Sequence, residues 1–164
     1  IPVSALILLD AASAQEHLAQ LAQSPTIGLA VGCFDLLHVG HVRMLIAARE
    51  HVDHIVVALN TDASVRGLKG EGRPLVPLNE RAELLAALRC VDLVTSFDAP
   101  TAHDLIDLLR PQALIKGTDR TLATVPEAEQ MASIQGQVLF LGDQKSRSST
   151  ELAARSGFLH RSGT

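Results

Sequence analysis

Apolar residues in this chain fall into short, nearly unbroken runs at residues 27–31, 53–59, 91–95, 113–116 and 138–141, each flanked by polar or glycine-containing stretches. Runs of that length read as strands buried on both faces. Between them, apolar positions recur at helical spacing over 39–51, 79–89 (Leu84, Leu85 and Leu88 toward the core), 101–110, 126–135 and 148–155. Ser13 followed by Glu16 has the form of a capping box and predicts an earlier helix ending near Gln23, and Asn79 is the expected cap of the 79–89 helix. Residues 65–78 carry Gly67, Gly70, Gly72, Pro74 and Pro77 and read as too broken for regular structure. The alternation predicts an α/β fold: a Rossmann-like, doubly wound parallel sheet of five strands with helices on both faces. With no internal repeat or linker, residues 1–164 read as one domain. Within it, 1–25 form an N-terminal helical extension and 156–164 a tail.

Composition narrows the function more than the fold. A hydrophobic content of 47% excludes a disordered chain, yet no apolar run is long enough to span a bilayer. Residues 1–9 are apolar without a basic start, so no signal peptide is expected. A net charge of −4 with mixed signs, no Trp or Tyr and four Phe argue against a nucleic-acid surface. Two cysteines, Cys33 and Cys90, form no spaced framework, which makes a reducing cytoplasm the expected compartment.

The chemistry concentrates where the first buried run ends, in Gly32-Cys33-Phe34-Asp35-Leu36-Leu37-His38-Val39-Gly40-His41. Two histidines three apart at a helix start share one face, about 5–6 Å apart at Cβ. Gly40 between them would let a ligand approach the backbone, and the unpaired N–H groups of the helix start suit phosphate. His38 and His41 are the expected donors to phosphate oxygens as charge develops on a leaving group, the alternative being capping or structural histidines. The main-chain N–H groups of Cys33 and Phe34 are expected at the same phosphate, with the Cys33 side chain a small packing residue. Asp35 could orient a histidine, help hold a metal, or simply shape the turn. Lys69 and Arg73, in the glycine-rich segment after the second strand, could clamp a triphosphate. Asn60 and Asp62 end that strand where ligands bind in such folds, although turns favour the same residue types. Arg81 could reach the site or brace its own helix through a salt bridge. Ser148, Ser149 and Thr150 open the last helix with hydroxyls that could contact a ligand or cap the helix. The other five histidines, among seven in all, share no motif.

Together the blocks His38-Val39-Gly40-His41, 60–66, 68–74, Glu80-Arg81, 84–88, Lys116-Gly117-Thr118-Asp119 and Ser148-Ser149-Thr150 resemble the cytidylyltransferase-like nucleotidyltransferases, and among them the heptose 1-phosphate adenylyltransferases. The resemblance runs from about residue 5 to about residue 155. Two departures stand out: Ala30-Val31 where that family usually has Thr-Asn, and Thr118-Asp119-Arg120 in place of Gly-Asp-Tyr. It implies transfer of AMP from ATP to a sugar 1-phosphate with release of pyrophosphate, a homodimer, and a heptose kinase fused or acting in the same pathway. It also implies nucleotide contacts from Arg81, Lys116, Gly117, Asp119, Ser148, Ser149 and Thr150, and Lys145, just before the last three, could reach the β- or γ-phosphate where related cytidylyltransferases have an Arg-containing motif that this chain lacks. Mg²⁺ is expected with the triphosphate, held by phosphate oxygens and water, with no metal site of the protein's own. Two other readings share these residues: a CTP-dependent enzyme acting on a polyol-phosphate or phosphonate acceptor, and a nucleotide-binding module without turnover.

Overall fold

In the computed structural model, residues 4–143 and Ala154 are described. Six parallel strands form one sheet in the order β1-β4-β3-β2-β5-β6: β1 (Leu6–Ile7), β2 (Ile27–Gly32), β3 (His54–Asn60), β4 (Leu93–Phe97), β5 (Ala113–Gly117) and β6 (Gln137–Leu141). The helices are α1 (Ala11–Ala19), α2 (Val39–Ala48), α3 (Asp62–Lys69), α4 (Leu78–Ala86), α5 (His103–Leu109) and α6 (Ala128–Ser133). The last expected helix, 148–155, lies outside the described residues apart from Ala154, as do Lys145, Ser148, Ser149 and Thr150.

The period-two alternation of the strands divides the core between two faces. Ala30, Val57, Leu59, Val94 and Ile115 pack with Met44, Leu45 and Leu85 from α2 and α4. Leu29, Val56, Ala58, Leu93 and Leu114 pack with Leu18, Ile106 and Met131 from α1, α5 and α6. From β2 the chain winds outward through β3 and β4, then crosses back to place β5 on the other side of β2. The switch point therefore lies between the carboxyl ends of β2 and β5, where open parallel sheets bind ligands.

The sheet has six strands rather than the expected five because Leu6 and Ile7 pair with Leu93 and Val94 at its edge. Two residues give no periodicity to read. The first helix is capped by Asp10, whose carboxylate accepts from Ser13 N and Ser13 Oγ at 2.8 Å each; it ends at Ala19 rather than near Gln23. Part of 65–78 is helical after all: the Thr61 hydroxyl caps α3 by accepting from Ser64 N at 3.2 Å, and Gly70, at φ +92°, ends it. Gly67 faces open space within that helix, a position where glycine costs only about 1 kcal/mol relative to alanine. Asn79 does not cap α4, which starts at Leu78 after Pro77, and Leu84 is 49% exposed while Leu85 is buried.

Candidate functional site at the sheet switch point

A cleft of about 630 Å³ opens at the carboxyl ends of the strands, lined in part by Cys33, His38, His41, Lys69, Lys116 and Glu127. Its floor is built by the β2–α2 turn. The His38 ring folds back over the start of α2, and its Nδ1 accepts from Gly40 N at 3.2 Å. His41 Nδ1 in turn accepts from His38 N at 3.3 Å, so each ring satisfies a main-chain donor of the helix start. An Nδ1 that accepts carries no proton, which places the proton of each neutral ring on Nε2. The rings stack with centroids 3.8 Å apart, and the buried Phe34 ring lies 4.8 Å from His41. Gly40 also leaves room for the His38 ring: a Cβ would stand 3.0 Å from His38 Cε1 and Nδ1, so the ring would have to shift by a few tenths of an ångström.

Beneath the floor, two buried arginines hold the loops in register. Asp35 is 1% exposed; its Oδ2 pairs with Arg73 Nε, and its Oδ1 accepts from Leu75 N at 2.8 Å and Val76 N at 2.9 Å. Both oxygens are thus spent on the 73–76 loop, and neither is turned to a histidine or a metal. Arg73 is buried on Asp35 and does not line the cleft. Arg81 donates to Val76 O (2.9 Å), Cys33 O (2.7 Å), Asn60 O (3.0 Å) and Asp62 Oδ1 (2.7 Å). It ties the ends of β2 and β3 to the turn before α4, and neither Arg81 nor Asp62 lines the cleft. Asn60 does, with its Nδ2 on Ser64 Oγ at 2.9 Å and Ala99 O at 3.0 Å. Burial raises the Cys33 thiol above its ordinary range against the pull of Lys69 and Arg81, which keeps it protonated and suits a packing role.

The opposite wall comes from the segment after β5. Lys116, Gly117 and Asp119 line the cleft. A Cβ on Gly117 would meet Asp119 Oδ1 at 2.7 Å, so glycine lets that carboxylate fold in. Arg43, Arg120, Glu127 and Asp143 also line the cleft and were not singled out in the sequence. Arg43 pairs with Asp143 at 2.6 Å, and Thr118 Oγ1 donates to Asp143 O at 2.6 Å, which joins the ends of β5 and β6 to α2. No motif marks these residues; only the fold brings them together. Burial pulls the Lys116 ammonium below its ordinary range, opposed by the nearby Glu127 charge. Among the described residues no three His, Cys, Asp or Glu side chains cluster as a metal site.

A fully parallel sheet with stacked histidines on a helix start and lysines around one cleft at its switch point defines a nucleotide-handling α/β domain. A family model described as Cytidylyltransferase-like matches residues 29–154, and the chain belongs to that family of nucleotidyltransferases. It is 48% identical over 134 residues to the bifunctional protein HldE of Geobacter sulfurreducens, covering 82% of this chain and 27% of that protein. The HldE of Streptomyces coelicolor is likewise 48% identical over 134 residues, 82% of this chain and 29% of that protein. The chain thus spans under a third of the length of these relatives. Among solved structures, a lipopolysaccharide core biosynthesis protein of Thermoplasma volcanium superposes with a TM-score of 0.63 at 22% identity, covering 74% of this chain and 99% of that one. A pantoate-beta-alanine ligase of Francisella tularensis gives 0.66 at 12% identity, covering 95% and 78%. These structures share the fold. No helix among the described residues is long and apolar enough to cross a membrane.

Proposed function

We propose that this domain transfers AMP from ATP to a sugar 1-phosphate, heptose 1-phosphate in the first instance, forming an ADP-sugar and pyrophosphate. The observation that carries the reading is the histidine pair: two stacked rings whose Nδ1 atoms accept main-chain N–H groups, which puts an Nε2–H donor on each ring in the cleft. Attack of the sugar phosphate oxygen on the α-phosphorus moves negative charge onto the α-phosphate and the departing pyrophosphate. Donors fixed before the reaction stabilise that charge, and each is typically worth 10²–10³ in rate. Lys69 stands at the cleft rim at the end of α3, with the glycines of residues 70 and 72 behind it, and is the cation assigned to the leaving phosphates. Lys116 and Asp119 face it from the β5 side.

Mg²⁺ enters this scheme only with the nucleotide. Phosphate oxygens and water are its proposed ligands. The name bifunctional for the HldE relatives, with this chain spanning under a third of their length, supports a second activity on the same or a partner chain; a sugar kinase would supply the 1-phosphate. A homodimer and a cytoplasmic site of action complete the proposal.

The test is pyrophosphate release with ATP, CTP, GTP and UTP, each against heptose 1-phosphate and glycerol 3-phosphate, with the nucleotide-sugar product identified by mass. ATP with the heptose is the expected productive pair. Preference for CTP with the polyol phosphate would replace it by the cytidylyltransferase reading, and tight ATP binding without product by the inactive module.

A further inference from the structure

Most of the positive side chains in and under the cleft are already committed to partners within the protein. Arg43 is paired with Asp143 at 2.6 Å and Lys116 with Glu127 at 3.6 Å, while Arg73 and Arg81 are buried on Asp35 and on backbone carbonyls beneath the floor. Among the described residues, the lysines and arginines of the cleft left without an acidic or hydrogen-bonding partner are Lys69 and Arg120, both exposed. These two flank the histidine pair. Lys69 ends α3, which follows β3, and Arg120 follows β5; between those strands lies β2, whose carboxyl end leads to His38 and His41. After burial, the charge of Arg120 contributes to the lowering of the Lys116 ammonium, so the guanidinium stands near enough to be felt in the β5-side wall. Arg120 also falls in one of the two departures from the resembled family, which usually has Tyr there.

Nucleotidyl transfer needs an anion held on each side of the reacting phosphorus. An oxygen of the acceptor phosphate forms a bond to the α-phosphorus while the bond to the oxygen bridging α- and β-phosphates breaks. That bridging oxygen keeps the electron pair and leaves as part of pyrophosphate. Attacking and leaving oxygens lie roughly in line, so the two anions sit on opposite sides of the α-phosphate. An α-phosphate over His38 and His41 then has one uncommitted cation on either side. We propose that Lys69 and Arg120 divide these anions, each holding the phosphate of a different substrate. With Lys69 on the departing phosphates of ATP, Arg120 holds the phosphate of the acceptor, and its planar fork can meet two phosphate oxygens at once. The inference rests on the nucleotidyl-transfer reading and deepens it by naming a residue that binds the acceptor.

Arg120→Gln and Lys69→Gln separate the two grips. KM values from pyrophosphate release, and dissociation constants by calorimetry, would be compared for ATP and for heptose 1-phosphate in the unchanged protein and both variants. Arg120→Gln should weaken heptose 1-phosphate about 10- to 100-fold, the size of hydrogen bonds to a charged group, and leave ATP unchanged. Lys69→Gln should weaken ATP and leave the sugar phosphate unchanged. Arg120→Lys should recover part of the loss, which a merely structural role would not explain. The urea midpoint of each variant should stay where it is, since both side chains are exposed and unpaired among the described residues. The mirror result, with each variant weakening the other substrate, keeps the division and overturns the placing of Lys69 on the leaving phosphates. Weakening of one and the same substrate by both variants, or of neither substrate by either, overturns the inference. If the unchanged protein binds both substrates but releases no pyrophosphate, the reaction assignment fails and calorimetry alone decides the division. Binding of neither substrate overturns both.

Discussion

Removing the Arg81 side chain should cost a large share of the domain's stability. The guanidinium is fully buried and donates to three main-chain carbonyls, Cys33 O, Asn60 O and Val76 O, besides the Asp62 carboxylate. In Arg81→Met the hydrocarbon volume is largely kept while those acceptors lose their donors. A buried polar group left unsatisfied costs roughly 1–3 kcal/mol. The Asp62 side chain is 36% exposed, so water replaces its partner and that ion pair adds little. The three carbonyls together imply a loss of about 3–5 kcal/mol, against a total of about 5–15 kcal/mol for a typical domain. Arg81→Lys keeps the charge but not the planar fork that reaches several carbonyls at once, and should recover less than half of the loss. Urea unfolding at neutral pH, with m unchanged, measures this directly. A Met variant within about 1 kcal/mol of the unchanged protein would refute the reasoning, as would full recovery by Lys.

Gly40→Ala should separate activity from stability: alanine favours the helix by up to about 1 kcal/mol, whereas its Cβ at 3.0 Å displaces the His38 ring. Pyrophosphate release should fall roughly tenfold or more while the unfolding midpoint holds or rises, and retained turnover would count against the histidine geometry. Asp35→Asn leaves Arg73 buried without its counter-charge and should cost about 3–5 kcal/mol in urea unfolding. A neutral result there would show that the 73–76 loop is held by other contacts. His54 is held below its ordinary pKa by burial, only partly offset by Asp92. The folded state therefore resists its protonation, and stability is lost as pH falls from about 6.5 through the lower folded value. Comparing urea midpoints at pH 7.5 and 5.5, His54→Asn should show a smaller acid loss than the unchanged protein; an equal loss would assign the effect elsewhere.

What the sequence made legible follows from how local the determinants are. The turn from β2 into α2 is one continuous segment, so the strand, the helix start and the facing histidines could all be read from spacing. The helix α3 was obscured because Gly67 sits near Gly70 and Gly72, and only its cap at Thr61 and its open flank show that the first glycine is tolerated. Arg73 and Arg81 carry the residue type of a phosphate site, and the burial of Arg73 on Asp35 and of Arg81 on backbone carbonyls across the fold could not be inferred from motif. Arg120, in one of the two departures from the resembled family, and Glu127 reach the cleft only because β5 crosses to the far side of β2.

The central claim is that the stacked histidines at the switch point drive nucleotidyl transfer. Its most direct test is pyrophosphate release from ATP and heptose 1-phosphate by the unchanged protein and by His38→Ala and His41→Ala, with folding checked by urea unfolding. Turnover in the unchanged protein and a loss of about 10²–10³ in each folded variant is the expected result. Turnover that survives both substitutions would contradict the account.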